Sequence, residues 1–441
     1  MDYKSILEDR VKIILDSKGL DLNIDIEDSL FKDIKPGKYE IIWDLKGEKI
    51  LKLEPILGDV KVESGMYRIH NNRQYSSNYK YLYPLQYIDF DISQYRNDKI
   101  KNILKTMKTI LVTGGAGYIG THTVVELLKD DNYNVIILDN FSNSNPLILN
   151  RLKKITNKPV KLYHRDCRSN LDDIFSDNKI DGVIHFAAFK SVSDSVENPL
   201  AYYDNNINSL INLLDTCKRF NVDRFVFSSS CSLYGNVLSG DLPVNEETPL
   251  SGPESPYAYT KLVGEKILRD FSNSDSNFKI ISLRYFNPVG AHYSGLIGES
   301  PINKPNNILP VICSSIEGDK MTVFGNNYDT PDGTCIRDYI HVSDIANAHY
   351  LSLEYLFYSM SNNYGVFNLG SDSGYSVMEL IKSFEEENGV KVNYDIGERR
   401  IGDVVEIYSD SSRARRILKW NLKYNIDDIV KSAWNWNKNM I

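Results

Sequence analysis

Tyr257 and Lys261 stand four residues apart in the run SPYAYTK. On a helix, residues i and i+4 share a face, so the phenol and the ammonium belong side by side. A free phenol, with a pKa of about 10, is a poor base at neutral pH. A neighbouring cation favours its phenolate, which can then accept a proton from a hydroxyl. YxxxK alone recurs by chance in many helices. Here an upstream segment, FSSSCSLYG, ends an apolar strand and places Ser228, Ser229 and Ser230 at a strand's carboxyl edge, where open α/β sheets hold ligands. Ser230 can hydrogen-bond the same hydroxyl. Tyr259 is a weaker candidate base, because it lies two residues from Lys261 on another helix face.

A second constellation is Gly114, Gly117 and Gly120, a GxxGxxG between the strand KTILVT and the helical run THTVVELLKD. One glycine permits the tight turn, one lets the backbone approach a pyrophosphate, and one lets the helix pack on the strand. The helix N-terminus then presents unpaired N–H groups to the phosphates. Asp139 closes the next strand, NVIILDN, where a carboxylate reaches an adenosine ribose and repels a 2′-phosphate. The expected cofactor is therefore NAD rather than NADP.

The elements that must position these groups alternate from Met107 onward. KTILVT, NVIILDN, DGVIHFAA, RFVFSSS and KIISLRYF are apolar runs, with helical stretches such as AYYDNNINSLINLLDTCKRF between them. Strands alternating with helices predict a Rossmann-type doubly wound parallel sheet, α/β in class. From about residue 288 the spacing is irregular and rich in Pro, Gly and Asn, which predicts a smaller C-terminal substrate lobe. Residues 107–287 are thus read as mainly NAD-binding and 288–441 as mainly substrate-binding, with interleaving.

Residues 1–106 have another texture. They hold 18 acidic and 18 basic residues and nine of the 29 tyrosines, so the net charge of −8 resides wholly in 107–441. KYEIIWDLKGEKILKLEPI reads as a β-hairpin and GDVKVESGMYRIH as two further strands. DSKGLDLN and DIKPGKYE read as turns, NNRQYSSNYKYLYPLQY as a polar aromatic loop or docking surface, and DISQYRNDKIKNILKT as a short linker helix. His70 is the segment's one histidine. The expectation is a small β-rich N-terminal module of unknown function that binds a partner or glycan. A second catalytic unit and an upstream extension before initiation at Met107 are the other readings.

Composition excludes several classes. At 42% hydrophobic and 25% charged, the 441 residues form globular cores and exceed one ordinary domain. An acidic balance argues against non-specific nucleic-acid binding. No apolar run approaches the ~18 residues of a membrane span, and MDYKSILEDR lacks a secretory pattern. Cys167, Cys217, Cys231, Cys313 and Cys335 are dispersed, so reduced thiols in a cytoplasmic protein are expected. The seven histidines show no metal spacing, and no metal is expected.

The motifs GGAGYIG, VIILDN, VIHFAA, YYDNN, FSSSCSLYG, SPYAYTK, LRYFNPVGAH, NNILP, RDYIHVSD and RRIGD follow one another in a single order. In this, the chain from Met107 onward closely resembles the UDP-glucose (UDP-galactose) 4-epimerases, extended short-chain dehydrogenase/reductases. Residues 1–106 lie outside the resemblance. It implies that Tyr118 and Ile119 lie over the NAD pyrophosphate, that Asp139 and Asn140 take the adenosine ribose, and that Asp166 and Cys167 meet the adenine. Phe186, Ala187, Ala188, Lys190 and Asn205 would line the NAD path, with Phe286 beyond them. Lys261 would bridge the nicotinamide ribose and Tyr257. On the UDP-sugar side it implies Asn287, then Asn307, Ile308, Thr322 and Phe324 around the uridine, and Arg337, Arg400 and Asp403 at the diphosphate and ribose. Guanidinium forks match phosphate oxygens, which suits the two arginines. A homodimer is also implied.

Two departures from the family pattern stand out. Ile407 occupies a position where bacterial members often carry Tyr and which helps set the room around the sugar's 2-substituent. Cys231 replaces the usual Ala. The implied activity is interconversion of UDP-glucose and UDP-galactose through a 4-keto sugar with no net redox change. Alternatives are a UDP-N-acetylglucosamine or dual-specific 4-epimerase, a nucleotide-sugar 4,6-dehydratase and a silent NAD-binding scaffold. The dehydratase family carries an Asp-Glu pair where this chain has Cys231 and Ser232, and a scaffold would be expected to lose Tyr257 or Lys261.

Overall fold

The computed structural model describes residues 107–441, apart from positions 238, 251, 301, 303, 304, 306, 401, 402 and 441, and before residue 107 it describes five strands. The chain divides into two units, Met1–Lys105 and Thr106–Ile441. In the first, β1 (Gly37–Asp44), β2 (Lys49–Leu57), β3 (Val60–Lys61), β4 (Gly65–Ile69) and β5 (Gln86–Phe90) form one antiparallel sheet, with β1 and β2 in hairpin register, Lys38 opposite Ile56. The turn DSKGLDLN, most of the tract NNRQYSSNYKYLYPLQY, the linker-helix segment 91–106 and His70 lie outside the described residues.

The second unit is built on seven strands: β6 (Lys108–Thr113), β7 (Tyr133–Asp139), β8 (Lys161–His164), β9 (Gly182–His185), β10 (Arg224–Ser230), β11 (Lys279–Tyr285) and, after four short strands, β16 (Tyr364–Leu369). Their order is β16-β11-β10-β9-β6-β7-β8 and every pairing is parallel. Side chains alternate between faces along a strand. Ile110 and Val112 of β6 enter one core and Leu111 the other, and on β7 Val135 and Ile137 part from Ile136 and Leu138 in the same way. Both faces are therefore apolar and covered, which is why the strands read as near-continuous hydrophobic runs. The order reverses between β6 and β9, so a crevice opens at their carboxyl ends.

The short strands position the other side of that crevice. β12 (Asn287–Val289) pairs with β15 (Tyr339–His341), and β13 (Met321–Phe324) pairs with β18 (Tyr394–Gly397). β14 (Ile336–Arg337) lies between β17 (Tyr375–Ser376) and β19 (Glu406–Ile407). Helices Ile308–Ile316, Val377–Asn388 and Ile426–Met440 close a third core around Ile312, Leu380, Phe384 and Val430. This is the smaller C-terminal lobe, whose strands of two to four residues are too short to show a period in sequence.

Candidate active site

The glycine cradle sits at the switch point. Gly114 follows β6 with φ +67°, in the left-handed region, and a Cβ there would lie 2.7 Å from the Ala187 backbone nitrogen just past β9. At Gly120 a Cβ would meet the Gly114 carbonyl oxygen at 2.4 Å. These two glycines bring the helix Tyr118–Leu128 against the ends of β6 and β9. Gly117 is the N-cap of that helix, and no side-chain oxygen caps its first N–H groups. A turn that admits no Cβ, followed by an uncapped helix N-terminus, fits a dinucleotide pyrophosphate.

Asp139 is buried at the end of β7. Its Oδ2 accepts from the Ala116 N–H at 3.0 Å, and its Oδ1 accepts from the Phe141 N–H at 2.9 Å and the Ser144 hydroxyl at 2.8 Å. A carboxylate has about four acceptor positions, so Asp139 both fixes the glycine loop and retains capacity for a ribose hydroxyl. Asn140 Nδ2 donates to Asp166 at 3.0 Å. The Arg168 guanidinium holds the Asp166 carboxyl well below the usual range. Cys167 is buried, and burial pushes its thiol up to about 12.

Lys190 and Asn307 meet through a residue that the sequence reading did not single out. Glu299 Oε1 accepts from Lys190 Nζ at 2.8 Å and from Asn307 Nδ2 at 2.5 Å. The Lys190 ammonium lies 6.0 Å above the Tyr118 ring, whose hydroxyl donates to the Gly290 carbonyl at 2.6 Å. Glu299 thus links a residue expected on the NAD path to one expected at the uridine. Isolated in GLIGES, it carries no spacing that could have identified it. Asn205 is buried and donates to Asn206 Oδ1 at 3.0 Å.

Ser230, Tyr257 and Lys261 converge at the carboxyl end of β10. The helix Pro256–Ser274 starts there because Ser255 accepts from the Ala258 N–H and proline occupies its first turn. Lys261 is buried, donates from Nζ to the Ser228 carbonyl at 2.7 Å, and stands 5.0 Å from the Phe227 ring centroid and 5.9 Å from that of Tyr257. Burial pulls its ammonium down to about 8, against the opposing pull of Glu265. Burial pushes the Tyr257 phenol up to about 12, while the Ser230 hydroxyl pulls it down. The phenolate expected from lysine proximity is thus opposed in the protein alone by loss of solvent. Tyr259 is half-exposed on another face.

The substrate-side residues come together in two groups. Arg337 on β14 pairs with Asp403 at 3.6 Å, and its backbone register places it opposite Ile407. The Arg400 guanidinium lies 4.3 Å from the Phe324 ring centroid, one residue beyond Val323 and two beyond Thr322 on β13. The two arginines therefore hold separate partners. Asn287 on β12 donates its N–H to the Asp338 carbonyl at 2.9 Å. Asp338 is itself fully buried, bonded to Ser371 and Ser409, and ties the β14 edge to neighbouring loops. Ile308 opens the helix Ile308–Ile316 directly after Asn307. Phe286 and Ile407 are both buried in one cluster with Leu233, Tyr234 and Val244. Ala188 follows Ala187 in the loop after β9. Among the described residues no acidic and histidine cluster has metal-holding geometry, and no helix is long and apolar enough to cross a membrane.

A parallel sheet with order reversal, a glycine cradle at the reversal and a Tyr–Lys helix beside a serine-ended strand define a dinucleotide-binding fold of the short-chain dehydrogenase/reductase class. The sequence pattern of the NAD dependent epimerase/dehydratase family matches residues 110–370, and the chain belongs to that family. It is 45% identical over 332 residues to a UDP-glucose 4-epimerase of Erwinia amylovora, covering 74% of this chain and 97% of that one. It is 43% identical over 336 residues to a UDP-glucose 4-epimerase of Bacillus subtilis, covering 75% and 97%. Among solved structures, the UDP-glucose 4-epimerase of Bifidobacterium longum in complex with NAD+ and UDP superposes with TM-score 0.72 at 45% identity, over 75% of this chain and 98% of that one. The UDP-Glc/GlcNAc 4-epimerase of Campylobacter jejuni superposes with TM-score 0.65 at 38% identity, over 75% and 99%.

Proposed function

We propose that this chain is an NAD-dependent UDP-glucose 4-epimerase that interconverts UDP-glucose and UDP-galactose. The observation that carries the reading is the convergence of Ser230, Tyr257 and Lys261 at the β10 edge, beside the glycine cradle. Relatives at 45% and 43% identity with this activity support it. Residues 107–441 carry the activity in this reading, and residues 1–106 form a separate module with an unassigned partner.

Gly114, Gly117, Gly120, Tyr118 and Ile119 would hold the NAD pyrophosphate, and Asp139, Asn140, Asp166 and Cys167 the adenosine end. Phe186, Ala187, Ala188, Lys190, Asn205 and Phe286 would line the remaining path. Bound NAD would supply reversible two-electron hydride chemistry at the sugar C4. The chain's own residues manage the proton and the anchor. Tyr257 accepts the 4-hydroxyl proton and returns it, Ser230 hydrogen-bonds the same oxygen, and Lys261 contributes positive charge that favours phenolate. Asn287, Asn307, Ile308, Thr322, Phe324, Arg337, Arg400 and Asp403 would hold UDP while the 4-keto ring turns. Ile407 bounds the pocket near the sugar's 2-position, with UDP-glucose and UDP-galactose as the preferred pair.

The reading extends to a homodimer in the cytoplasm. Helices Val192–Glu197, Pro199–Tyr203, Ser209–Arg219 and Pro256–Ser274 expose Val196, Leu200, Ile211, Tyr259 and Val263, with Leu200 82% exposed. An apolar face of this kind suits a second copy. All five cysteines are free thiols, in keeping with a reducing compartment. The test is conversion of UDP-galactose to UDP-glucose by the purified full chain with no nucleotide added. Folded protein that carries NAD and converts neither sugar would overturn the proposal.

A further inference from the structure

Three consecutive serines of β10 serve three successive turns of the helix Pro256–Ser274. The Ser230 hydroxyl faces the Tyr257 phenol, the Ser228 carbonyl accepts from Lys261, and the Ser229 hydroxyl donates to Glu265 at 2.5 Å. Tyr257, Lys261 and Glu265 recur at every fourth residue and so form one stripe on the helix. Arg284 of β11 grips Glu265 with two bonds, Nε to Oε1 at 2.9 Å and one terminal nitrogen to Oε2 at 2.7 Å. It also donates to the Tyr234 hydroxyl at 2.9 Å. Both side chains of the pair are under a tenth exposed. A buried ion pair is often replaceable by apolar residues without loss of stability, so its place directly behind the catalytic lysine asks for another role.

We propose that Glu265, clamped by Arg284 and Ser229, is a positioning residue that keeps Lys261 charged and holds the Tyr257–Lys261 stripe in register with β10. The proposal rests on the reading of Tyr257 as the proton acceptor. Several groups face Lys261. From its own helix come Tyr257 and Glu265, and from β9 comes His185, a buried imidazole held neutral by burial and by the lysine's charge. From β10 come the Phe227 ring and the Ser228 carbonyl, and Arg284 of β11 stands on Glu265. The nearby Cys231 thiol is pushed up to about 12 by burial and is uncharged. Among these groups Glu265 is the anion, and its pull opposes the burial that draws Lys261 down.

The test is the titration of Lys261 in the full chain as purified, with no UDP-sugar added, followed by NMR of 13C-labelled lysine and assigned by the signal lost in Lys261→Met. In the wild type the expected midpoint is about 8. A wild-type midpoint at the ordinary ~10.5, or below ~6, would overturn the proposal, since Lys261 would then need no compensation or receive none. In Glu265→Gln/Arg284→Met, which removes both charges together, the midpoint should fall by about one pH unit. The alkaline limb of kcat should fall with it, while KM changes by less than about twofold. Glu265→Asp, which keeps a carboxylate, should recover part of both shifts. A folded double variant with an unmoved Lys261 midpoint would reduce Glu265 to a structural role. If the double variant does not fold, the wild-type midpoint decides. Wild-type protein whose Lys261 moves as expected, yet which epimerises nothing, would contradict the epimerase reading and leave the role of Glu265 intact.

Discussion

The Lys261 ammonium donates to the Ser228 carbonyl at 2.7 Å and stands 5.9 Å from the centroid of the Tyr257 ring. The strand end thus fixes the height of the lysine on its helix, and the tyrosine lies one turn before it, beside Ser230. Loss of solvent raises the phenol and lowers the ammonium. The two perturbed groups lie together at the sheet's ligand-binding edge, as acid–base sites commonly do.

Tyr257→Phe removes the proposed proton acceptor and leaves the fold's apolar contacts. It should reduce kcat by about 10²–10⁴-fold, the usual worth of a general base, with UDP affinity kept in a calorimetric titration. Lys261→Met should lose activity on a similar scale. A Tyr257→Phe enzyme above a tenth of the wild-type rate would place the base elsewhere.

Gly114→Ala tests the cradle. The added methyl meets the Ala187 nitrogen at 2.7 Å, and φ is +67°. The conformation alone costs about 1–2 kcal/mol for an L-residue. The variant should melt lower and release less NAD on denaturation than the wild type, which should hold near one NAD per chain. Equal NAD content in the two proteins would remove the cradle from cofactor binding.

Acid should destabilise the fold in a defined window. Burial lowers His122 and His185 to about 3, and His292, His341 and His349 to about 4. Between those values and the unfolded value of ~6.5 the unfolded chain binds more protons, so stability falls as pH drops from about 6.5 toward 4. Asp344 acts in the opposite sense, because burial raises it to about 7 and the folded state holds its proton above the unfolded value of ~3.9. Burial also raises Asp338 and Glu246, which act in the same sense as Asp344, and five imidazoles outweigh three carboxyls. Unfolding free energies from urea titrations at pH 7 and pH 5 should differ by on the order of a few kcal/mol, with the lower stability at pH 5.

Much of this was legible in the sequence because it is periodic or local. Five of the sheet's seven strands follow from apolar runs spaced by helices, while Lys161–His164 and Tyr364–Leu369 were not read as strands, and the cradle follows from three glycines between a strand and a helix. The Tyr257–Lys261 stripe follows from helical spacing. Glu299 and Asp338 were not legible, since each acts through partners over a hundred or several tens of residues away, Lys190 for the first and Ser371 and Ser409 for the second. Glu265 had a signal, its place four residues after Lys261, but its partner Arg284 lies on another strand. The lysine's effect on Tyr257 is an expectation from spacing, whereas the burial that raises the phenol and the Ser230 hydroxyl that lowers it depend on the packed fold.

Sugar choice is expected to turn on Ile407. Its side chain is buried with Phe286, which precedes Asn287, an expected polar contact of the sugar. An acetamido group needs its amide satisfied once buried. UDP-glucose and UDP-galactose should therefore turn over faster than the N-acetylated pair, which retains measurable activity. Ile407→Tyr should suppress the N-acetylated pair, and the added bulk should cost about 1–3 kcal/mol of stability. Faster wild-type turnover of the N-acetylated pair would reverse the ranking.

The most direct measurement uses UDP-galactose carrying deuterium at C4. The full chain is incubated with it in ordinary water, and the UDP-glucose formed is examined by mass spectrometry and NMR. Removal and return of one hydride within a closed site, with Tyr257 handling only the hydroxyl proton, predicts UDP-glucose that keeps its deuterium at C4. Product with hydrogen from solvent at C4 would contradict that account.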